Sequence, residues 1–555
     1  MSKVFLFVLG FAPLAWGQPV IFLRGVVNAA SFAPAASTAG DLSRGGIFSI
    51  FGKDLGPAAP AQVSAFPLEA TFQGVSIRVT QGSRSVQAIP IFVSASQINA
   101  ILPSDAPLGL AALRVSYNGR EGGAATVRIA DNALGIFTAT GAGTGPAIVQ
   151  NFISSSEQPI NSMVNTARQR QVVILWATGV SPIQAPDNQA PPVGDFPVAV
   201  EILVGGKRVT NRLYSGRSPC CSGVDQLVFE VPADAPSGCH VPVMVKAGAR
   251  WSNVVTMAID PEGKPCSDPL NPFSAPFRDG KRVGVVELTR ANLYFDTHVF
   301  QINRFAIETL SGYFRQERGG AFAFEPNFSL PPEGTCTAYT TSGFVMGGGV
   351  RMPLANPARG LDAGSLTLTS GSGSAAAPPV KIGAGSYYNP ALASTVVRIA
   401  VGAAEPAGFF APGAFTLTGT GGADIGAINA SLTLDPAVSW TNRDSFTNVN
   451  RTQGIRYQWS GAAKARVIVG GTSYDMPSNA TTVFYCVAPG GVSAFDVPPE
   501  MLAQVTPARP LRQHSIQNLF LASVPSGAPL PVTASGLDFA AVVHKSITWK
   551  SVRFR

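Results

Sequence analysis

One thirteen-residue pattern occurs twice. Gln97-Ile-Asn-Ala-Ile-Leu-Pro103-Ser-Asp105-Ala106-Pro107-Leu-Gly109 returns as Gln226-Leu-Val-Phe-Glu-Val-Pro232-Ala-Asp234-Ala235-Pro236-Ser-Gly238, with six of thirteen positions identical at an offset of 129. A repeat at this scale means one supersecondary plan used twice, and it must be read before any local pattern. At the same offset Asp131 meets Asp260, each closing a strand-like stretch (126–130 and 255–259). Upstream, Phe51 to Pro57 has a looser counterpart in Trp176 to Pro182, at an offset of 125. Two copies of a fold of about 110 to 130 residues follow.

Within each copy the pattern is that of strands. Ile98, Ala100 and Leu102 alternate with Gln97, Asn99 and Ile101, and Leu227, Phe229 and Val231 alternate with Gln226, Val228 and Glu230. The Pro-x-Asp-Ala-Pro-x-Gly run then turns the chain, because proline fixes φ and glycine tolerates the positive φ of tight reversals. Val241, Val243 and Val245 resume the alternation. Short strands with turn chemistry at regular intervals describe an immunoglobulin-like β-sandwich. Trp176 and Phe51 read most simply as core aromatics.

Composition extends the β reading to the whole chain of 555 residues. Charged residues make up only 13%, with Gly 58 and Pro 45, while 46% of residues are hydrophobic. Helices want Ala, Leu, Glu and Lys without Gly or Pro, so the expected class is all-β: two immunoglobulin-like sandwiches followed by a larger β-sandwich-type domain. The expected boundaries are 1–17 (signal peptide), 18–135, 136–268 and 269–555, the last as one or two units. From about Asn271 the repeat ends, and β-branched segments such as 365–369, 414–418, 430–434, 465–469 and 482–485 take over. The glycine clusters between them (347–349, 419–422, 470–471) lack the Lys-Ser/Thr of a phosphate-binding loop and read as turns.

The N-terminus reads as a secretory signal. Lys3 supplies the positive region, residues 4–14 the apolar one, and Ala15-Trp16-Gly17 the small residues of a cleavage site before Gln18. No later stretch has the ~18 uninterrupted apolar residues of a membrane helix. The net charge of +8 is scattered: the densest groups are Arg168 with Arg170, Lys281 with Arg282, and Lys550 with Arg553 and Arg555. Nucleic-acid binders concentrate such charge on one face, so none is expected here. An unknown surface protein or a polysaccharide is the expected partner.

Six cysteines in an exported chain imply disulfides, with fifteen formal connectivities. The strand before the second turn would run one way, Cys239 would begin the return, and the strand at 254–259 would run back to set Cys266 beside Cys239. Cys220 and Cys221 lie a full strand away, about 26 Å at strand rise, whereas a disulfide spans Cα atoms only up to about 7 Å. The expected pairs are Cys239–Cys266, a vicinal Cys220–Cys221 ring, and Cys336–Cys486. The alternatives for Cys220 and Cys221 are a redox pair or a thiol metal site, and the latter would want more ligands nearby than His240 alone.

Asn28 to Phe32, Ile47 to Gly52, Leu55 to Pro57 and the Gln97 to Gly109 stretch resemble the Ig-like modules common in secreted proteins of soil acidobacteria, akin to the Ig-like, plexin and transcription-factor (IPT/TIG) class. Gly216 to Gln226 with its Cys220-Cys221 pair, Gly238-Cys239 and Pro265 to Asp268 resemble a variant of that module. The likeness spans roughly 25–268 and implies fold and export, without a chemistry. Pro331 to Cys336, Gly421 to Gly426, Ser439 to Asn442, Tyr457 to Gly461, Phe484 to Cys486 and Phe495 to Pro499 are similar to a β-rich region of unknown function in the same class of secreted proteins.

Catalytic signals are sparse. The four histidines, His240, His298, His514 and His544, fall in no metal-ligand spacing, and no Gly-x-Ser-x-Gly elbow is present. Two carboxylates meeting only in space are the remaining route to a hydrolase, for which Asp296 with His298, and Asp424, are the candidates; lone acids in such chains are more often turn residues. No cofactor, calcium loop or metal site is indicated. Trp440 and Trp459, with Trp549, could stack on sugars, although strand alternation favours core packing. The reading reached is a non-enzymatic, exported adhesion or binding protein. The alternative is a polysaccharide-binding or polysaccharide-degrading protein with the Ig-like copies as spacers, and a third is a purely structural envelope spacer.

Overall fold

The computed structural model describes residues 17–34, 40–294, 304–326, 328–345, 359–377, 380–382, 385–387, 396–399, 408–461, 464–508 and 515–555. The expected signal segment through residue 16, Asp296, His298, His514 and Gly347 to Gly349 lie outside the described residues. The fold is all-β, two immunoglobulin-like sandwiches followed by a larger sandwich-type body. Its α-helices among the described residues are the short Ser274–Arg278 and Pro499–Leu502. No helix there is long and apolar enough to cross a membrane.

In the first copy Val20–Asn28, Ile47–Lys53 and Gln97–Ile101 form one layer, and Val75–Gln81, Gly109–Tyr117 and Ala125–Ala130 the other. The long strand Arg84–Val93 belongs to both, pairing Arg84 to Ala88 with the second layer and Ile89 to Val93 with the first. Alternation drives Phe48, Ile50, Ile77, Val79, Ile98, Leu113 and Val115 into the core between them.

The second copy repeats the plan as two five-stranded sheets, with Val172–Thr178 and Asp225–Glu230 in one and Val200–Val204, Gly238–Ala247 and Val255–Ile259 in the other. The repeated Pro-x-Asp-Ala-Pro-x-Gly run is therefore a crossing between layers and not a hairpin within one. In both copies the strand before it and the strand after it lie in opposite sheets. Phe51 and Trp176 are half-buried, not core. Their strand neighbours Ile50 and Leu175 take the inward positions, and the Trp176 indole nitrogen donates to Gln150 Oε1 at 2.8 Å.

The three disulfides are Cys220–Cys221, Cys239–Cys266 and Cys336–Cys486. Gly238 pairs with Ile259 at the end of the Val255–Ile259 strand, which sets Cys266 within 5.3 Å of Cys239, Cα to Cα. Cys336 and Cys486 face each other in register on adjacent antiparallel strands.

The C-terminal half is built on one ten-stranded sheet, whose central order is Cys336–Ser342, Ala480–Val487, Arg466–Asp475, Ser515–Val524, Phe539–Ser551, Arg282–Tyr294 and Arg304–Gln316. Arg282–Tyr294 and Phe539–Ser551 run parallel over twelve paired residues. Apolar clusters pack on both faces, as expected of strands buried on two sides. Over one face lie two small sheets. Leu366–Ser370, Gly413–Gly419 and Ile428–Leu434 close one core with Val286, Leu288 and Val542. Ser439–Trp440, Ile455–Ser460 and Ala494–Val497 close another with Val467, Val469 and Leu521. Two adjoining sandwiches thus share a single continuous sheet.

Candidate functional site

Where the two small sheets part company, the face of the large sheet beneath them turns polar. Arg290 and Asn292 from Arg282–Tyr294, and His544, Ser546 and Thr548 from Phe539–Ser551, floor a cleft of about 350 Å³. The parallel register sets Arg290 beside Ser546 and Asn292 beside Thr548. Residues one position away on the same strands, Ala291, Lys545 and Ile547, point to the opposite face, as a two-residue period requires.

Each wall is fixed by a polar anchor. On one side Glu308 accepts hydrogen bonds from Arg290 (3.1 Å) and from the backbone N–H groups of Phe409 (2.7 Å) and Phe410 (3.0 Å). Glu308 is buried, so this cluster settles its charge and ties residues 408–412 to the sheet. On the other side Asn442 accepts from the Trp440 indole (3.0 Å) and from the Gln458 N–H (3.0 Å), and donates to the Arg456 carbonyl (2.8 Å). The Arg443 guanidinium lies 3.7 Å from the centre of the Tyr294 ring and bonds Asp444.

The electrostatics of the floor are muted. Burial pushes the His544 imidazole down to about 4, against the opposing pull of the Asp435 carboxylate at the rim, so the ring is neutral near pH 7. Arg290 is matched by Glu308 and Arg443 by Asp444. Asn292, Ser546, Thr548 and neutral His544 each donate and accept hydrogen bonds. A surface of this kind suits an uncharged, hydroxyl-rich molecule better than an anion or a cation.

Of the aromatics with a stacking role in view, Trp440 alone lines the cleft. It is 5% exposed and one of its faces is stacked on Tyr457 at 5.0 Å. Trp459, its register partner across the strands, is equally buried in the core beneath the small sheet. Trp549 packs against Phe520 on the opposite face of the large sheet. A sugar platform is thus not open to Trp459 or Trp549: alternation turns both inward. Asp424 is a turn residue. Its carboxylate accepts from Arg359 (2.8 Å) and from the Asp362 N–H (2.9 Å), and its carbonyl from Arg282 (2.8 Å). His240 is buried beside the Cys239–Cys266 bridge and edges onto Phe324. Among the described residues no three His, Cys, Asp or Glu side chains gather to hold a metal ion.

A wider groove of about 560 Å³ runs between the two Ig-like copies. Its main carboxylate, Asp187, is already committed to the Ser104 N–H (2.6 Å) and hydroxyl (2.9 Å), and the Ser222 hydroxyl donates to the Asp187 carbonyl. The Ser104–Asp187 bonds join the copies, which makes the groove a seam.

No family model matches the sequence, and no curated protein matches it. Among solved structures the chain is similar to SGBP-B from a complex xyloglucan utilization locus in Bacteroides uniformis, at 12% identity and a TM-score of 0.16, covering 67% of this chain and 86% of that one. It is also similar to domains 5–6 of the S-layer protein SbsC (11% identity, TM-score 0.17, 44% of this chain and 98% of that one). A third is the Bacteroides ovatus mixed-linkage glucan utilization locus SGBP-B in complex with a mixed-linkage heptasaccharide (11%, 0.13, 87% and 97%).

Proposed function

We propose that the chain is an exported, non-enzymatic binding protein that holds a polysaccharide in the cleft floored by Arg290, Asn292, His544, Ser546 and Thr548. The two Ig-like copies, IPT/TIG-related modules in this reading, serve as a stiff arm that presents it. The observation that carries the proposal is the chemistry of the floor: neutral groups that both donate and accept, with each neighbouring arginine matched by a carboxylate. Sugar hydroxyls make the same two-way demand. Export is supported by the Lys3 to Gly17 pattern and by the pairing of all six cysteines, since such bonds persist in oxidising compartments.

A glycan array with the intact chain tests it. Binding to at least one polysaccharide is expected, weakened about tenfold by Asn292→Ala, the usual effect of removing one buried hydrogen bond, and abolished by Ser546→Phe, which fills the cleft. An array without any hit overturns the polysaccharide reading. New reducing ends released from a bound glycan overturn the non-enzymatic one.

A further inference from the structure

The opposite face of the large sheet carries a second, chemically different chamber, independent of the cleft. The aromatic cluster around Phe273 and Phe328 and the one around Tyr485 and Phe520 pack on this face without merging. Between them remains a chamber of about 110 Å³, with Ile468, Phe520, Ala522 and Val543 of the sheet on one side and Phe273 and Phe328 on the other. An apolar cavity of about 150 Å³ accommodates benzene, so a single ring is about the largest body this one takes.

Two cations line that apolar space. Lys545, from the middle of the sheet, donates to Glu287. Arg466 differs: it is 9% exposed, yet no hydrogen bond or ion pair joins its guanidinium to another described residue. The carboxylates of Asp268 and Glu333 act on it only through space, balancing its charge without occupying its donors. Unlike those of Arg217, the Arg466 nitrogens are not sealed from solvent, so the unengaged fork is reachable at the rim of the chamber, and a carboxylate is the group that fits it with two parallel bonds.

We propose that this chamber binds a small monocarboxylate with an aromatic or branched apolar body, the carboxylate meeting Arg466 and the body filling the space between Phe328 and Phe520. The match is one of shape and charge together: apolar walls for the body, an unengaged fork at the rim for the head.

Calorimetric titration of the full chain with benzoate, benzamide and toluene tests this. Benzoate is expected to bind at least about tenfold more tightly than either neutral probe, the usual margin of a charge-assisted pair. Arg466→Gln should remove that margin and leave toluene unchanged, and Ala522→Leu, which occupies the chamber, should abolish benzoate binding. Should Arg466→Gln fail to fold, the three-probe series on the unaltered chain still decides. Equal affinity for benzoate and benzamide in the unaltered chain, a benzoate margin that survives Arg466→Gln, benzoate binding that survives Ala522→Leu, or no binding of benzoate at all overturns the proposal.

Discussion

His240 and His544 are imidazoles that burial holds near 4, far below the ordinary value of about 6.5. In the unfolded chain they take up a proton as the pH falls past 6.5; in the folded chain they do not until about 4. Each therefore contributes stability that is complete above 6.5 and is lost as the pH falls toward 4, at up to about 1.4 kcal/mol per pH unit. Asp225 and Asp268 act with the opposite sign. Burial, outweighing the charges of Arg217 and Arg466, pushes both up to about 6, so their contribution is complete below the unfolded value and is lost as the pH rises through 6. Between pH 4 and 6 the two sets offset each other. Removing one histidine should break the balance: with His240→Leu, stability between pH 4.5 and 6 is expected to gain, relative to the unaltered chain, about 1.4 kcal/mol for each unit the pH is lowered. Denaturant midpoints of both chains across that range check it. Parallel pH profiles would mean that His240 is protonated in the folded state.

At the level of elements, the three disulfides restrict the unfolded chain by very different amounts. Cys336–Cys486 closes a loop of 150 residues, Cys239–Cys266 one of 27, and Cys220–Cys221 none beyond its own ring. Loop-closure entropy values the first at about 5 kcal/mol and the second at about 3.5. Paired Cys→Ala substitutions should destabilise in that order, with the vicinal pair last, as read from denaturant midpoints; the reverse order would assign their effect to native packing. The same elements show how far the sequence could be read. Counting strands from the repeated turn was enough to bring Cys266 back to Cys239, because strand length and direction are local properties. The partnership of Arg282–Tyr294 with Phe539–Ser551 was not legible: the strands lie some 250 residues apart, and a parallel pair leaves no turn between them to announce it. Half of the cleft did carry a trace, since His544, Ser546 and Thr548 recur at every second position of one strand and so share a face. Its complement, Arg290 and Asn292, could be recognised only once the register was known. Asp424 and the tryptophans illustrate the converse: residue type raised a functional reading, and burial or turn geometry decided it.

Across the whole molecule the bodies are packed together and not strung on tethers. Leu203, Met244 and Val254 of the second copy belong to the same core as Trp440 and Val467 of the C-terminal half, and Gln504 donates to the Ser252 carbonyl at 3.2 Å. The first copy meets the second through Ile47, Leu68, Ile89 and Ile101, against which Val224 packs. Beneath that contact the Ile47 N–H donates to the Thr178 hydroxyl (2.8 Å), which donates in turn to the Gly223 carbonyl (2.6 Å). Gly223 sits where nothing larger fits: a Cβ there would lie 2.6 Å from Ile47 Cγ1 and 3.0 Å from Ile101 Cγ1, in a backbone conformation of φ +78° that a β-branched residue rarely adopts. Gly223→Val should therefore prise the copies apart, raising the radius of gyration in small-angle scattering and exposing the 130–135 junction to protease. Gly206→Val is the matched control, with the same φ of +78° and open space around its Cβ: it imposes similar local strain on the second copy and should leave the scattering unchanged. If both variants scatter like the unaltered chain, the seam does not depend on close approach at Gly223. If both expand, backbone strain alone loosens the second copy and the stiffness of the arm resides elsewhere.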